Sequence, residues 1–246
     1  MKIRAIILSA LILCGISAVI MYSRAAQPQQ KSSVITQAIN DKNTPMVIKN
    51  LILKMKEQME VNDDQFPELI KEVENYTNSL ADSASVAVLH SMLAEMYQNY
   101  YQRNQWTINQ RTQLSGYIPE DIRVWTSNLF TDKIKEEIDL SLRPTALLQN
   151  TPVSKFKDIL EIGKDSQTLR PTLYEFLAFR ALDIQPTVQI YKDLIAYQNK
   201  EPNMKSVLLT DLDYLRLHYG DKRDKESFEA YMNALDELYR NLASQN

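Results

Sequence analysis

The sequence predicts an all-α protein, an array of antiparallel helical hairpins packed as an irregular solenoid or bundle and preceded by an N-terminal signal or anchor helix. Three observations carry that expectation. Apolar residues recur at spacings of three and four through most of the chain, as they do on a helix with one buried face. Only four glycines occur in 246 residues, and one of them, Gly15, lies in the leader; folds rich in sheet or loop need more. Prolines punctuate the segments: Asn43-Thr44-Pro45 and the Pro-Thr pairs beginning at Pro144, Pro171 and Pro186 mark helix starts, where a fixed φ and a missing backbone donor are tolerated.

In chain order, residues 1–25 have the layout of an export signal. Lys2 and Arg4 form a charged start, Ala5 to Met21 an apolar run, and Ser23-Arg24-Ala25 a small-x-small cleavage site. An uncleaved anchor is the alternative, because the apolar run falls between the lengths of a signal core and a membrane span. Either way the body is exported to the periplasm or cell envelope, and only this segment would touch a membrane. Cys14 follows Leu13 rather than a small residue, which argues against lipid attachment. Residues 26–33 are a polar tether, and 34–246 are expected to form a single α-helical domain.

Within that domain, Val34 to Asn40 is a short first helix, and Asn43 caps a second whose stripe is Val47, Ile48, Leu51, Ile52 and Met55. A third restarts after Asp64 with Phe66, Leu69, Ile70, Val73 and Tyr76 on one face. The strongest pattern, "DSASVAVLHSMLAEMYQNYYQRNQW", carries Val86, Leu89, Leu93, Met96, Tyr97, Tyr100 and Tyr101 in a band ending at Trp106. Residues 105–118 read as a connection with packed side chains such as Ile108 and Leu114. Pro119 then starts a helix through Leu140, with Ile122, Trp125, Leu129, Phe130, Ile134 and Ile138 inward. Two short capped pieces lead to "LRPTLYEFLAFRALD", Leu169 to Asp183, where Pro171 opens a helix and Leu173, Phe176, Leu177, Arg180 and Ala181 share a stripe. A second Pro-Thr entry at Pro186 follows. Segments Asn203 to His218 and Asp224 to Leu242 complete the array, the last with a stripe of Phe228, Tyr231, Leu235, Leu238 and Tyr239. No fixed repeat period holds.

Composition excludes several chemistries. Beyond Cys14 there is no cysteine, so the body has no disulfide, thiolate nucleophile or sulfur-ligated zinc, and its stability must come from packing. Loss of Lys2, Arg4 and Arg24 with the leader lowers the basic residues from 28 to 25 against 31 acidic ones, a balance of −6 that offers no footprint for nucleic acid. His90 and His218 are the only histidines. Glu95 lies five residues from His90, an offset that rotates the two apart, and His218 with Asp221 nearby reads as a helix end. No serine sits in a glycine-flanked elbow, no glycine-rich phosphate cradle exists, and Glu68, Glu72, Glu74, Asp139 and Glu161 read as solvated acids on helix surfaces. No catalytic, cofactor or metal residue is expected. The aromatic band from Tyr97 to Trp106 could bind a flat ligand such as a glycan, but aromatic residues spread over every helix favour core.

Three blocks carry a resemblance. Val88 to Trp106 holds His90, Ser91, Leu93, Ala94, Glu95, Tyr97, Tyr100, Tyr101 and Trp106; Asp121 to Phe130 holds Asp121, Ile122 and Trp125; and Arg170-Pro171-Thr172-Leu173-Tyr174 is followed by Phe176-Leu177-Ala178. Together they resemble the helical region near the start of very large bacterial alpha-2-macroglobulin-like proteins, a protease-trapping family of endopeptidase inhibitors. The resemblance spans roughly residue 34 to the end, with Arg-Pro-Thr-Leu-Tyr its most specific part. It implies an exported, non-enzymatic module, either the front of a longer product or a freestanding copy, acting as a platform for downstream macroglobulin-type domains or other envelope proteins. The family's bait region and thioester have no counterpart here, so covalent trapping does not carry over. Under this reading Tyr97, Tyr101, Trp106, Trp125, Tyr174 and Phe176 are core or inter-helix contacts. The alternative is a freestanding helical scaffold that captures a peptide or another envelope protein in a groove between hairpins.

Overall fold

The computed structural model describes residues 43–61, 65–112, 117–160, 166–200, 204–219 and 225–243. The expected leader, the tether, the short helix from Val34 and Leu114 lie outside them. Every extended element among the described residues is helical, and none is a strand. The protein is therefore all-α. No described helix is long and apolar enough to cross a membrane.

The chain divides into two compact units, Met1–Lys56 and Glu57–Asn246. The division falls inside the first described helix, α1 (Thr44–Val61). In the first unit the Asn43 carboxamide oxygen accepts the Met46 amide at 3.2 Å, which satisfies one of the donors a helix start leaves open. Val47, Ile48, Leu51 and Met55 follow as its buried stripe.

The second unit contains α2 (Phe66–Ser79), α3 (Ser83–Ile108), α4 (Ser127–Ser141), α5 (Thr145–Gln149), α6 (Ser166–Leu169), α7 (Leu173–Ile184), α8 (Val188–Gln198), α9 (Met204–Tyr219) and α10 (Lys225–Ala243). The long helix α3 is its axis, packing against α2, α4 and α7. Asp82 caps it, accepting from the Ala84 and Ser85 amides. Its pairing with α4 is antiparallel: His90 meets Glu137 near one end, and Tyr101 meets Phe130 near the other. The ring of Phe130 is fully buried and has Tyr97, Tyr100, Tyr101 and Trp125 around it, at centroid distances of 6.5, 5.6, 5.8 and 5.3 Å. Offset and tilted ring pairs of this kind add directional energy to simple burial.

Several sequence expectations need correction. Pro119 to Leu140 is not one helix: a 3₁₀ turn at Ile122–Val124 comes first, Trp125 is extended, and α4 starts only at Ser127. The Asp121 carboxylate accepts the Arg123 amide at 2.9 Å and stabilises the short turn instead. The extended backbone turns the Trp125 ring inward, where its indole N–H donates to the Pro119 carbonyl and the Arg111 guanidinium donates to the Trp125 carbonyl at 2.7 Å. Ile108, placed in a connection, is the buried last residue of α3. Pro171 is not the first helical residue: α7 begins at Leu173 with Thr172 as cap, and at Pro186 the cap is again the threonine, Thr187. In both, the hydroxyl accepts an amide three residues on, which a residue already inside the helix could not do as well.

Trp106 is the largest departure. Expected in the core, it is 78% exposed. It lies nine residues after Tyr97, and at about 100° per residue that is half a turn away from the buried face. The helix runs straight past the point where the sequence pattern suggested it ended, so the indole points to solvent.

Truncating the hub should be costly and truncating the outlier should not. Phe130→Ala should lose about 3–5 kcal/mol of unfolding free energy, whereas Trp106→Ala should stay within about 0.5 kcal/mol of the parent. Urea denaturation of the two variants reads both values.

Candidate functional site

The polar residues of α3 converge on its neighbours. His90 Nδ1 lies 2.7 Å from Glu137 Oε2, and Lys133 Nζ lies 2.7 Å from the other carboxylate oxygen, Oε1. Glu137 is buried to 2% exposure on the apolar face of α4, between Ile134 and Ile138. A carboxylate only accepts, so Nδ1 of His90 carries the proton of this bond. Lys133 also reaches Glu136 at 3.0 Å, lies 3.9 Å from Glu74 on α2, and sits 5.9 Å from the Tyr97 ring centroid. The Tyr97 hydroxyl donates to Glu74 at 2.7 Å. One connected string thus joins α2, α3 and α4.

The environment sets the charge state of each group. Burial alone would raise the Glu137 carboxyl, but the hydrogen bonds from His90 and Lys133, with the Lys133 charge, outweigh it and hold the group below its ordinary 4.5. Burial works to lower the Lys133 ammonium and is likewise overcome, by its bonds to Glu137 and Glu136. Burial and the nearby Glu74 push the Tyr97 phenol far upward, so at neutral pH it is a fixed donor. The arrangement is a set of matched charges and filled hydrogen bonds. It holds helices in register.

The same holds for Ser91 and Glu95 in the Val88 to Trp106 block. Arg180 of α7 donates through Nε to the Ser91 hydroxyl at 3.0 Å and through Nη2 to Glu95. His90 is therefore partnered across the helix pair rather than with Glu95, and Arg180, read as part of an apolar stripe, is the tie between α7 and α3.

The Arg170 to Tyr174 block is a second junction. The Arg170 guanidinium lies 3.8 Å over the Phe179 ring, a cation–π contact. The exposed Pro171 offers its carbonyl to the Val153 amide at 2.9 Å, and the Leu173 amide donates to the Thr151 carbonyl at 2.8 Å. Thr172 and Glu175 form a capping box: the Glu175 amide donates to the threonine hydroxyl at 3.3 Å, and the Thr172 amide donates to the carboxylate at 3.1 Å. The other oxygen of the buried Glu175 accepts from Gln198 at 3.1 Å. Gln198 also donates to the Ser206 hydroxyl at 2.8 Å, and that hydroxyl donates to the Leu169 carbonyl. Tyr174 meets Tyr197 edge to face at 5.3 Å, and burial, with Asp193 and Tyr197 nearby, pushes its phenol up to about 12. Phe176 is half-buried on the same helix. Thus α7, α8 and α9 are joined through a single buried carboxylate.

Two concavities border these junctions. One of about 750 Å³ lies between α4, α5 and α8, with Arg143, Tyr174, Tyr197 and Lys200 among its walls. Another of about 490 Å³ lies over Tyr97 and Trp125. Among the described residues no group of three or more histidines, cysteines or acids stands together as metal ligands would. Comparison with known proteins gives no match, whether to family models, curated proteins or solved structures.

Of the residues singled out from sequence, Tyr97, Tyr101 and Trp125 meet around Phe130, and Arg170, Pro171, Thr172 and Tyr174 meet at the second junction; Trp106 joins neither. Sequence reasoning missed Glu137, Lys133, Gln198 and Ser206. Glu137 was legible: Phe130, Ile134, Glu137, Ile138 and Ser141 follow one helical stripe, and an acid on such a stripe needs a partner, here with Lys133 one turn before it. Gln198 and Ser206 carry no comparable local signal.

Glu137→Gln should destabilise the protein by about 3 kcal/mol, the lower end of the range for breaking a buried pair because His90 and Lys133 keep some solvent. The pH dependence has a definite sign. The folded state binds this proton more weakly than the unfolded chain, so the stabilisation is complete above pH 4.5 and is lost as pH falls through the folded value. Denaturation curves between pH 3 and pH 7 should show that loss in the parent and a correspondingly smaller one in Glu137→Gln.

Proposed function

We propose that this chain is an exported, non-catalytic helical module that positions partner domains in the cell envelope, as its resemblance to the amino-terminal region of alpha-2-macroglobulin-like endopeptidase inhibitors implies. In this reading the body is an array of antiparallel hairpins behind a signal or anchor helix, and its partners are downstream macroglobulin-type domains or other envelope proteins. The observation that supports it is a contrast within the fold. His90 and Glu95 of α3, Lys133 and Glu137 of α4 and Arg180 of α7 are committed to one another, while α10 leaves Phe228, Met232 and Tyr239 at 60, 42 and 72% exposure. These three recur on one helical face, and exposed apolar side chains grouped on one face mark surfaces that others cover. The groove of about 750 Å³ beside Tyr174 and Tyr197 favours the second reading, a freestanding scaffold that captures a peptide between hairpins.

Photo-crosslinking tests the first reading. A benzophenone side chain at position 228 or 239, in the protein expressed with its native leader, should yield a discrete adduct with a macroglobulin-type or other envelope partner, and one at exposed Lys155 should not. Phe228→Ala with Tyr239→Ala should melt within about 0.5 kcal/mol of the parent, as surface substitutions do, while losing the partner. Absence of any adduct from α10 would contradict the docking role. Reading the gene past Asn246 separates the two forms: β-rich continuation supports the inhibitor context, and an immediate stop codon supports the freestanding scaffold.

A further inference from the structure

The pocket over Tyr97 and Trp125 has a chemistry that the scaffold reading leaves unused. Its floor is apolar: the Tyr97 and Trp125 rings lie parallel, 5.6 Å between centroids and 3° apart in plane, with Ile118, Ile122 and Leu129 beside them. Ile118 is 70% exposed and Leu129 half-buried, so these two form the open part of that surface, with Tyr97, Ile122 and Trp125 buried beneath them. Its volume of about 490 Å³ falls in the range of binding pockets that enclose a side chain or a small ligand.

The rim is charged with a net sign. Four carboxylates, Glu74, Glu120, Asp132 and Glu136, face two lysines, Lys71 and Lys133. Glu74 is occupied by the Tyr97 hydroxyl, and Glu136 by Lys133, whose main partner is the buried Glu137. Glu120 and Asp132 make no hydrogen bond or ion pair with a described residue, and neither does Lys71, so the open part of the rim keeps one negative charge in excess. An apolar floor with two uncommitted carboxylates at its edge matches one kind of group: an aliphatic stem ending in a cation. Lysine and arginine side chains have that construction, burying the stem while the charged head stays at the wet rim.

We propose that this pocket receives a lysine or arginine side chain of a partner peptide segment, the stem lying on Ile118 and Leu129 over Trp125 and the cation between Glu120 and Asp132. The inference rests on the interaction reading above and names the partner's chemistry at a place remote in sequence from α10. Its failure leaves the α10 crosslinks untouched, and failure of those crosslinks leaves the pocket to be judged by the titration below.

Trp106 and Trp125 are the only tryptophans, so Trp106→Phe leaves one indole, at the pocket. In that background the blocked peptide acetyl-Leu-Arg-Leu-amide should produce a saturable change in Trp125 emission that weakens as salt is raised. Acetyl-Leu-Glu-Leu-amide should produce none. Glu120→Gln and Asp132→Asn, each at an exposed position, should melt like the parent and bind the arginine peptide at least tenfold more weakly; Asp132→Lys should abolish binding. No saturation up to millimolar peptide, equal response to the glutamate peptide, or unchanged affinity in these variants would overturn the proposal. So would agmatine, a free alkylguanidinium, binding as tightly as the peptide, because the pocket would then serve a small cation rather than a partner chain.

Discussion

The second unit depends on the seam between α3 and α4. Along it, a fully buried phenylalanine is enclosed by three tyrosines and a tryptophan, and two turns further on a buried carboxylate is hydrogen-bonded from both helices. The two ends do different physical work. Packing around Phe130 supplies apolar stabilisation, since apolar burial scales with area and ring pairs add to it. The Glu137 cluster supplies register: an ionised carboxylate inside an apolar seam is tolerated only where His90 and Lys133 can both reach it, so a one-turn slip of α4 along α3 would strand the charge.

The remaining helices attach to this seam through polar residues spaced along α3. Tyr97 reaches α2 through Glu74, while Ser91 and Glu95 reach α7 through Arg180. From α7 the line continues outward through Glu175 and Gln198 to Ser206. Each link satisfies a buried or half-buried group, and each would leave its partner unpaired if removed, which costs more than the bond itself contributes. Packing density falls along that line: α3 has many buried positions, α9 few, and α10 none among those described. The most exposed apolar side chains of the last helix are thus farthest from the seam in chain order, where coverage by something other than this chain would matter most.

How far the sequence could be read follows from the range of each force. Helix type and most stripes were legible because they follow local periodicity: Phe66, Leu69, Ile70 and Val73 are buried as their spacing requires. Boundaries were less so. Pro171 and Pro186 mark the entry correctly, but the threonine after each is the cap, a distinction of hydroxyl geometry that spacing does not encode. Trp106 lies outside the core because helical phase outranks aromatic character: nine residues on from Tyr97 is the opposite face. The partners of His90 and Arg180 lie 47 and 89 residues away, and no local rule pairs them. The leader reading concerns residues outside those the structure describes, and within the Val88 to Trp106 and Arg170 to Tyr174 blocks Ser91, Glu95, Tyr97 and Tyr174 make inter-helix ties whereas Trp106 faces solvent.

If the α3–α4 seam is the element on which the rest depends, it must also be the last to open. Native-state hydrogen exchange measures this directly, because each amide reports the free energy of the opening that exposes it. Amides of α3 and α4 from Leu89 to Tyr101 and from Phe130 to Ile138 should exchange together, in the slowest class and only by global unfolding, with α10 exchanging well before them. Exchange of α4 ahead of α8 and α9, or of α3 and α4 with different opening energies, would contradict the account.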